Sequence, residues 1–100
     1  MLITDEQGRI THVSRSFGAM FGLDDPPALV GTSARAVVRR INRAFADPAG
    51  FTRRVGEVLR ARQPMSGEQI QCADGRTVEC DYWPILVDGR FRGDLPEANP

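Results

Sequence analysis

The chain has no lysine, one histidine, one tryptophan, one tyrosine and two cysteines among its 100 residues. With no second histidine to complete the usual ligand or base sets, neither a metal cluster nor a catalytic triad is supported. No apolar run approaches the roughly 20 residues that cross a bilayer. The start, Met1-Leu2-Ile3-Thr4-Asp5, has no basic segment ahead of an apolar signal core. A cytoplasmic location and no membrane partner are therefore expected. The length suits one domain with a single core.

What is present is arginine, which supplies all 13 basic side chains against 13 carboxylates, for a net charge of zero. Arginine favours bidentate pairing and planar stacking over point charge, although genomic base composition accounts for the usage equally well. The charge is unevenly spread. Residues 32–62 hold eight Arg against Asp47 and Glu57, a local +6, whereas residues 1–31 carry −2 and residues 63–100 carry −4. A basic middle of this kind suits a nucleic acid or an acidic partner. The aromatic residues of this stretch, Phe45 and Phe51, belong to the apolar helical pattern and do not form a stacking platform with the arginines, so the expectation is solvated helix faces, partly paired with carboxylates, and no nucleic acid.

Asp5 to Gly8, Asp74-Gly75 and Asp88-Gly89 are turn signals, because glycine takes the positive φ that closes a tight hairpin. Their order predicts two strands, then helices, then three strands. Leu2-Ile3-Thr4 and Ile10-Thr11-His12-Val13 read as the first hairpin. Ser14 or Ser16 is placed to cap a short helix in which Phe17, Met20 and Phe21 recur at helical spacing and which Gly22 ends. Asp24-Asp25-Pro26-Pro27 is a connector. Thr32 or Ser33 then caps an amphipathic helix with Ala34, Val37, Val38, Ile41 and Phe45 on its apolar side. Asp47-Pro48 starts another, carried by Phe51, Val55, Val58, Leu59 and Arg62 to Pro64. Gly50 and Gly56 weaken that helix by roughly 1 kcal/mol each relative to alanine.

Three strands follow, Glu68 to Cys72, Thr77 to Val87 and Phe91 to Leu95. A three-residue turn with a bulge at Gly75 sets Ile70 opposite Val78 and groups apolar with apolar. One face then carries Ile70, Cys72, Val78, Cys80 and Tyr82. In that register Cys80 faces Glu68, about 13 Å along the strand from Cys72, too far for a disulfide. Buried reduced thiols are expected. The opposite face carries Trp83, Ile85 and Val87 at one end, which need cover from another segment, another protomer or the rest of a longer protein.

Taken together these features resemble the PAS domain, the sensory module of bacterial signalling proteins. The residues that carry the resemblance are Asp5-Glu6-Gln7-Gly8-Arg9-Ile10 running into Val13-Ser14-Arg15-Ser16-Phe17-Gly18-Ala19-Met20-Phe21-Gly22, then Leu29-Val30-Gly31. Later come Ala73-Asp74-Gly75-Arg76, Asp81-Tyr82-Trp83-Pro84-Ile85 and Asp88-Gly89-Arg90-Phe91-Arg92-Gly93. The resemblance implies an α+β fold: a five-stranded antiparallel sheet, order 2-1-5-4-3, with helices packed on one face around a ligand cavity. It also implies that the outer face serves dimers and neighbouring domains. Ser14 stands where the family often has Asn, and still offers a capping oxygen. The family's last strand usually continues into an Asp-Ile-Thr turn and a signalling helix. Here the chain runs Gly93-Asp94-Leu95-Pro96-Glu97-Ala98-Asn99-Pro100. The expected domain is thus residues 1–95, with 96–100 a C-terminal tail or truncated linker and no output connection.

Phe17, Phe21, Phe45, Phe51, Leu59, Cys72 and Tyr82 are the candidate pocket residues. A buried Tyr82 hydroxyl needs a partner and would present a donor to a ligand. Haem is disfavoured, because His12 falls in the second strand and the family's haem ligands lie in the helical region. A flavin adduct is disfavoured because the family's helical Asn-Cys-Arg motif is missing, so no tightly bound cofactor is expected. Trp83, Ile85 and Val87 are the candidate interface. The expected function is a non-catalytic sensory or dimerisation module of a bacterial signal-transduction protein, homodimeric and joined to an output domain. A structural self-association domain without a ligand is the alternative.

Overall fold

A computed structural model describes residues 1–100. Its elements run β1 (Leu2–Thr4), β2 (Ile10–Val13), α1 (Arg15–Met20), α2 (Ala34–Ile41), α3 (Pro48–Ala61), β3 (Met65–Gln71), β4 (Thr77–Val87) and β5 (Arg90–Asn99). Short 3₁₀ turns occupy Pro26–Leu29 and Asn42–Ala44. The fold is α+β, as expected. Each α-helix begins where a side-chain oxygen satisfies an otherwise free backbone N–H. Ser14 accepts from Phe17 N–H at 3.2 Å, Ser33 from Arg35 N–H at 3.2 Å and Asp47 from Gly50 N–H at 3.0 Å.

Helix α2 ends earlier than its apolar spacing suggests. Phe45 leaves the helical path and forms an isolated bridge with Cys72. The backbone there pairs with the end of β3 instead: Ala46 N–H donates to the Gln71 carbonyl at 3.0 Å and Ala73 N–H to the Ala44 carbonyl at 2.8 Å. These tertiary bonds outweigh the local tendency to add another helical turn.

The turns set the strand register. Cys72 N–H donates to the Arg76 carbonyl at 2.7 Å, closing a three-residue turn with Gly75 at φ 92°. Ile70 accordingly faces Val78, and Glu68 faces Cys80. Val87 pairs with Arg90 across Asp88-Gly89, both at positive φ, the two-residue turn that matches strand twist.

Two expectations are corrected. The strands form two sheets, β1-β2 and β3-β4-β5, and not one continuous five-stranded sheet. Strand β1 does lie beside β5, but no ladder joins them. At the junction Asp94 N–H donates to the Thr4 hydroxyl at 3.2 Å, where a ladder would use a strand carbonyl. Further, β5 does not end at Leu95: residues 96–99 pair with β4 as far as Asn99 opposite Glu79. Pro96 is tolerated because β5 has a ladder on one side only. Residues 96–99 are thus strand, not tail.

The core runs across both sheets and all three helices: Leu2, Ile10, Val13, Phe17, Leu23, Val37, Ile41, Phe45, Phe51, Cys72 and Val78. Burying each large side chain contributes about 1.5–3 kcal/mol. This apolar contact holds the two sheets together where the backbone does not.

Candidate functional site

The expected pocket residues form a packed interior. Phe17, Phe21, Phe45 and Phe51 make a row, with successive ring centroids at 5.0, 5.7 and 3.8 Å and the last pair stacked at 13°. Phe17, Phe45, Phe51 and Cys72 are buried together, with Phe21 half-buried against them. Leu59, half-buried on α3, and Tyr82 lie outside that cluster. Two clefts open elsewhere, and of the expected pocket residues only Phe51 lines either. One, of about 360 Å³ between α3 and β3, has Phe51, Ile70, Arg53, Arg54 and Glu68 in its walls. The other, of about 680 Å³, runs between α1 and the adjoining ends of β4 and β5, past Met20, Val78 and Ala98.

Tyr82 occupies the inner face of β4 and is 1% exposed. Its hydroxyl donates to Asp94 Oδ1 at 2.5 Å. Asp94 Oδ2 lies 3.2 Å from the Thr4 hydroxyl, which in turn accepts from Asp94 N–H. All three residues are buried. Burial pushes the Tyr82 phenol well above its ordinary pKa, and its hydrogen bond to the Asp94 carboxylate adds to the shift, against a smaller opposing pull from Arg62. The Arg62 guanidinium lies 3.8 Å over the Phe91 ring, tying the end of α3 to the start of β5. The need for a partner to Tyr82 was visible in the sequence; Asp94, Thr4 and Arg62 were not singled out as site residues. The only available signal for Asp94 was a carboxylate near the expected end of the last strand.

On α3, Arg54 Nε reaches both Glu68 oxygens at 3.0 and 2.9 Å, and its Nη2 reaches Oε1 at 2.6 Å. This fork holds the Glu68 carboxyl below its usual pKa, the Arg54 hydrogen bonds being the largest cause, and raises that of Arg54. Arg54 also meets Glu57 at 3.3 Å. It is the one arginine of residues 32–62 paired with a carboxylate, so the basic stretch is less neutralised than its sequence suggests. Cys72 and Cys80 are both free thiols. Burial, reinforced by the negative charge of Glu68, pushes the Cys80 thiol up to about 11, which makes it a poor nucleophile. His12 is exposed on β2. No three His, Cys, Asp or Glu side chains converge as metal ligands would, and no helix is long and apolar enough to cross a membrane.

The outer face of the larger sheet presents the expected apolar end. Trp83 is 40% exposed and Val87 54%, with Ile85 half-buried between them. Leu95 stands directly opposite Trp83 on β5. Beyond this pair the same face turns acidic, with Asp81 opposite Glu97.

Residues 1–37 match the family model of the PAS domain. The match covers the β1–β2 hairpin, α1 and the first half of α2, and residues 38–100 lie outside it. No curated protein matches the chain.

Proposed function

From the PAS-domain match over residues 1–37, we propose that this chain is a non-catalytic sensory and dimerisation module of a bacterial, cytoplasmic signal-transduction protein. It binds a small ligand or partner and passes the change to an output domain through the outer sheet face. The observation that carries this reading is the apolar patch of Trp83, Ile85, Val87 and Leu95 on the face away from the helices, with Trp83 and Val87 exposed and Ile85 and Leu95 half-buried. An exposed Trp beside aliphatic side chains suits an interface anchor, and a second copy of the same face completes a two-fold contact. A ligand shifts the module between states only by its difference in affinity for them.

Light scattering across a concentration series tests the interface. The wild type is expected to form dimers with Trp83 fluorescence moving to the blue, and Trp83→Ala to remain monomeric. An unchanged association state in Trp83→Ala, or Trp83 emission typical of water where dimers form, overturns the interface. The alternative, self-association without a ligand, is favoured by the packing of Phe17, Phe21, Phe45 and Phe51 in one continuous row. Visible absorbance and native mass spectrometry of the purified protein separate the two readings. A retained small molecule supports the sensor; a colourless dimer at the bare chain mass supports the structural role.

A further inference from the structure

We propose that the seam between β1 and β5 is an opening joint of the fold, held shut by Thr4, Asp94 and Tyr82 acting as a latch. Three observations combine. First, the backbone bonds of the β1–β2 hairpin stay on its own side. Ile10 N–H donates to the Thr32 carbonyl at 2.8 Å, Gly31 N–H to the Ile10 carbonyl at 2.7 Å and Ala34 N–H to the Gly8 carbonyl at 2.9 Å. None of its ladder bonds reaches β5. The hairpin and residues 31–34 are therefore one bonded body, and β3-β4-β5 is another.

Second, the two bodies meet at a close fit. A Cβ on Gly93 would collide with the Thr4 carbonyl oxygen, so only glycine lets the strands approach there. Third, side chains take the place of the missing ladder at that spot. The Asp94 carboxylate receives Tyr82 from β4 on Oδ1 and faces Thr4 from β1 on Oδ2, while its own N–H returns to the Thr4 hydroxyl. The Thr4 hydrogen is shared between Asp94 Oδ2 and the Asp5 carbonyl, both at 3.2 Å. Thr4 is thus the one buried polar tether between the two bodies; the other polar contact across the seam is the solvent-exposed Arg92–Glu6 pair at 3.2 Å, which screening makes weak.

A buried, fully partnered network is strong when complete and weak when one member is lost. Opening the seam would leave the carboxylate with Tyr82 alone, expose the facing edges of β1 and β5 and uncover part of the apolar packing of Leu2, Ile10 and Val13 that also holds the sheets together. That cost is local. It lies below the cost of unfolding β3-β4-β5, whose ladders remain intact, and a segment of this kind opens as a separate unit. The inference concerns the fold's own motion and holds whether or not the outer face associates.

Hydrogen exchange followed by mass spectrometry on the full chain tests the latch with an isosteric pair. Thr4→Val keeps the shape and removes the hydroxyl, and is expected to speed exchange in residues 2–13 and 91–97 about tenfold or more. The paired stretch 68–82 should stay within about twofold. Thr4→Ser restores the hydroxyl and should behave as wild type. Should Thr4→Val not fold, Thr4→Ala is read in the same way, since it too lacks the hydroxyl that meets Asp94. Exchange of residues 2–13 and 68–82 at one common rate in every variant overturns the joint. Indistinguishable Val and Ser variants overturn the latch.

Discussion

The Tyr82 phenol is 1% exposed and its hydroxyl is committed to Asp94 at 2.5 Å. Replacing it in Tyr82→Phe keeps the ring packing and leaves a buried carboxylate short of a donor, which costs about 1–3 kcal/mol. Urea unfolding should show this loss, and Asp94→Asn should cost less in the Phe variant than in wild type, because the two groups act together. The phenol titrates higher in the folded chain than its ordinary value of 10.0. Its contribution is therefore complete below about pH 10 and fades as pH rises above that, a slope absent from Tyr82→Phe. That Tyr82 points inward was legible from the two-residue alternation with Val78 and Cys80. Its partner was not: a carboxylate two residues before Pro96 reads as the exposed end of a strand, and only the continuation of β5 to Asn99 turns it inside.

At the scale of an element, α3 shows where propensity and structure part. By composition Gly50 and Gly56 are equal defects. In place they differ, because a Cβ at Gly50 would collide with the Asp47 carboxylate that caps the helix, while at Gly56 it meets the far end of the Arg60 side chain at 3.1 Å. Thermal unfolding should therefore find Gly56→Ala stabilised by up to about 1 kcal/mol and Gly50→Ala destabilised through its cap, by about 1 kcal/mol. The same helix is clamped to β3 by Arg54 and Glu68, both partly exposed, so solvent screening keeps the pair's contribution small. Because folding lowers the Glu68 pKa from 4.5, this contribution is present above that value and is lost as pH falls through the folded one. Glu68→Gln is expected to lower Tm slightly at pH 7 and to reduce the acid-side slope of Tm below pH 5; an unchanged slope would show that the clamp contributes nothing. Caps, turn types and the Ile70–Val78 register were legible because each rests on neighbours within a few residues. The shortening of α2 and the seam between the sheets were not, since both are decided by partners far along the chain: Cys72 for Phe45, and Asp94 for Thr4.

For the whole molecule, a net charge of zero conceals a division that bears on the proposed contact between two copies. Residues 32–62 carry the local +6, on a helical segment where only Arg54 is paired with a carboxylate. The outer sheet face sets Asp81 directly opposite Glu97 beside the Trp83–Leu95 pair. Like charges opposite each other on a sheet repel, and a two-fold dimer through this face would bring a second such pair close to the first. Salt shortens the range of that repulsion from about 10 Å at 0.1 M to about 3 Å at 1 M. Dimerisation through the outer face should therefore tighten several-fold between those concentrations, by roughly 1 kcal/mol, in sedimentation equilibrium. Asp81→Asn should associate more tightly at 0.1 M and respond less to salt, while its amide oxygen still accepts the Gly67 N–H that Asp81 now holds at 2.8 Å. A head-to-tail contact, with the arginine-rich helices of one copy on the acidic sheet of the next, predicts the reverse, because salt then screens an attraction. Weakening with salt would thus exclude the two-fold outer-face dimer and place the contact on the helices.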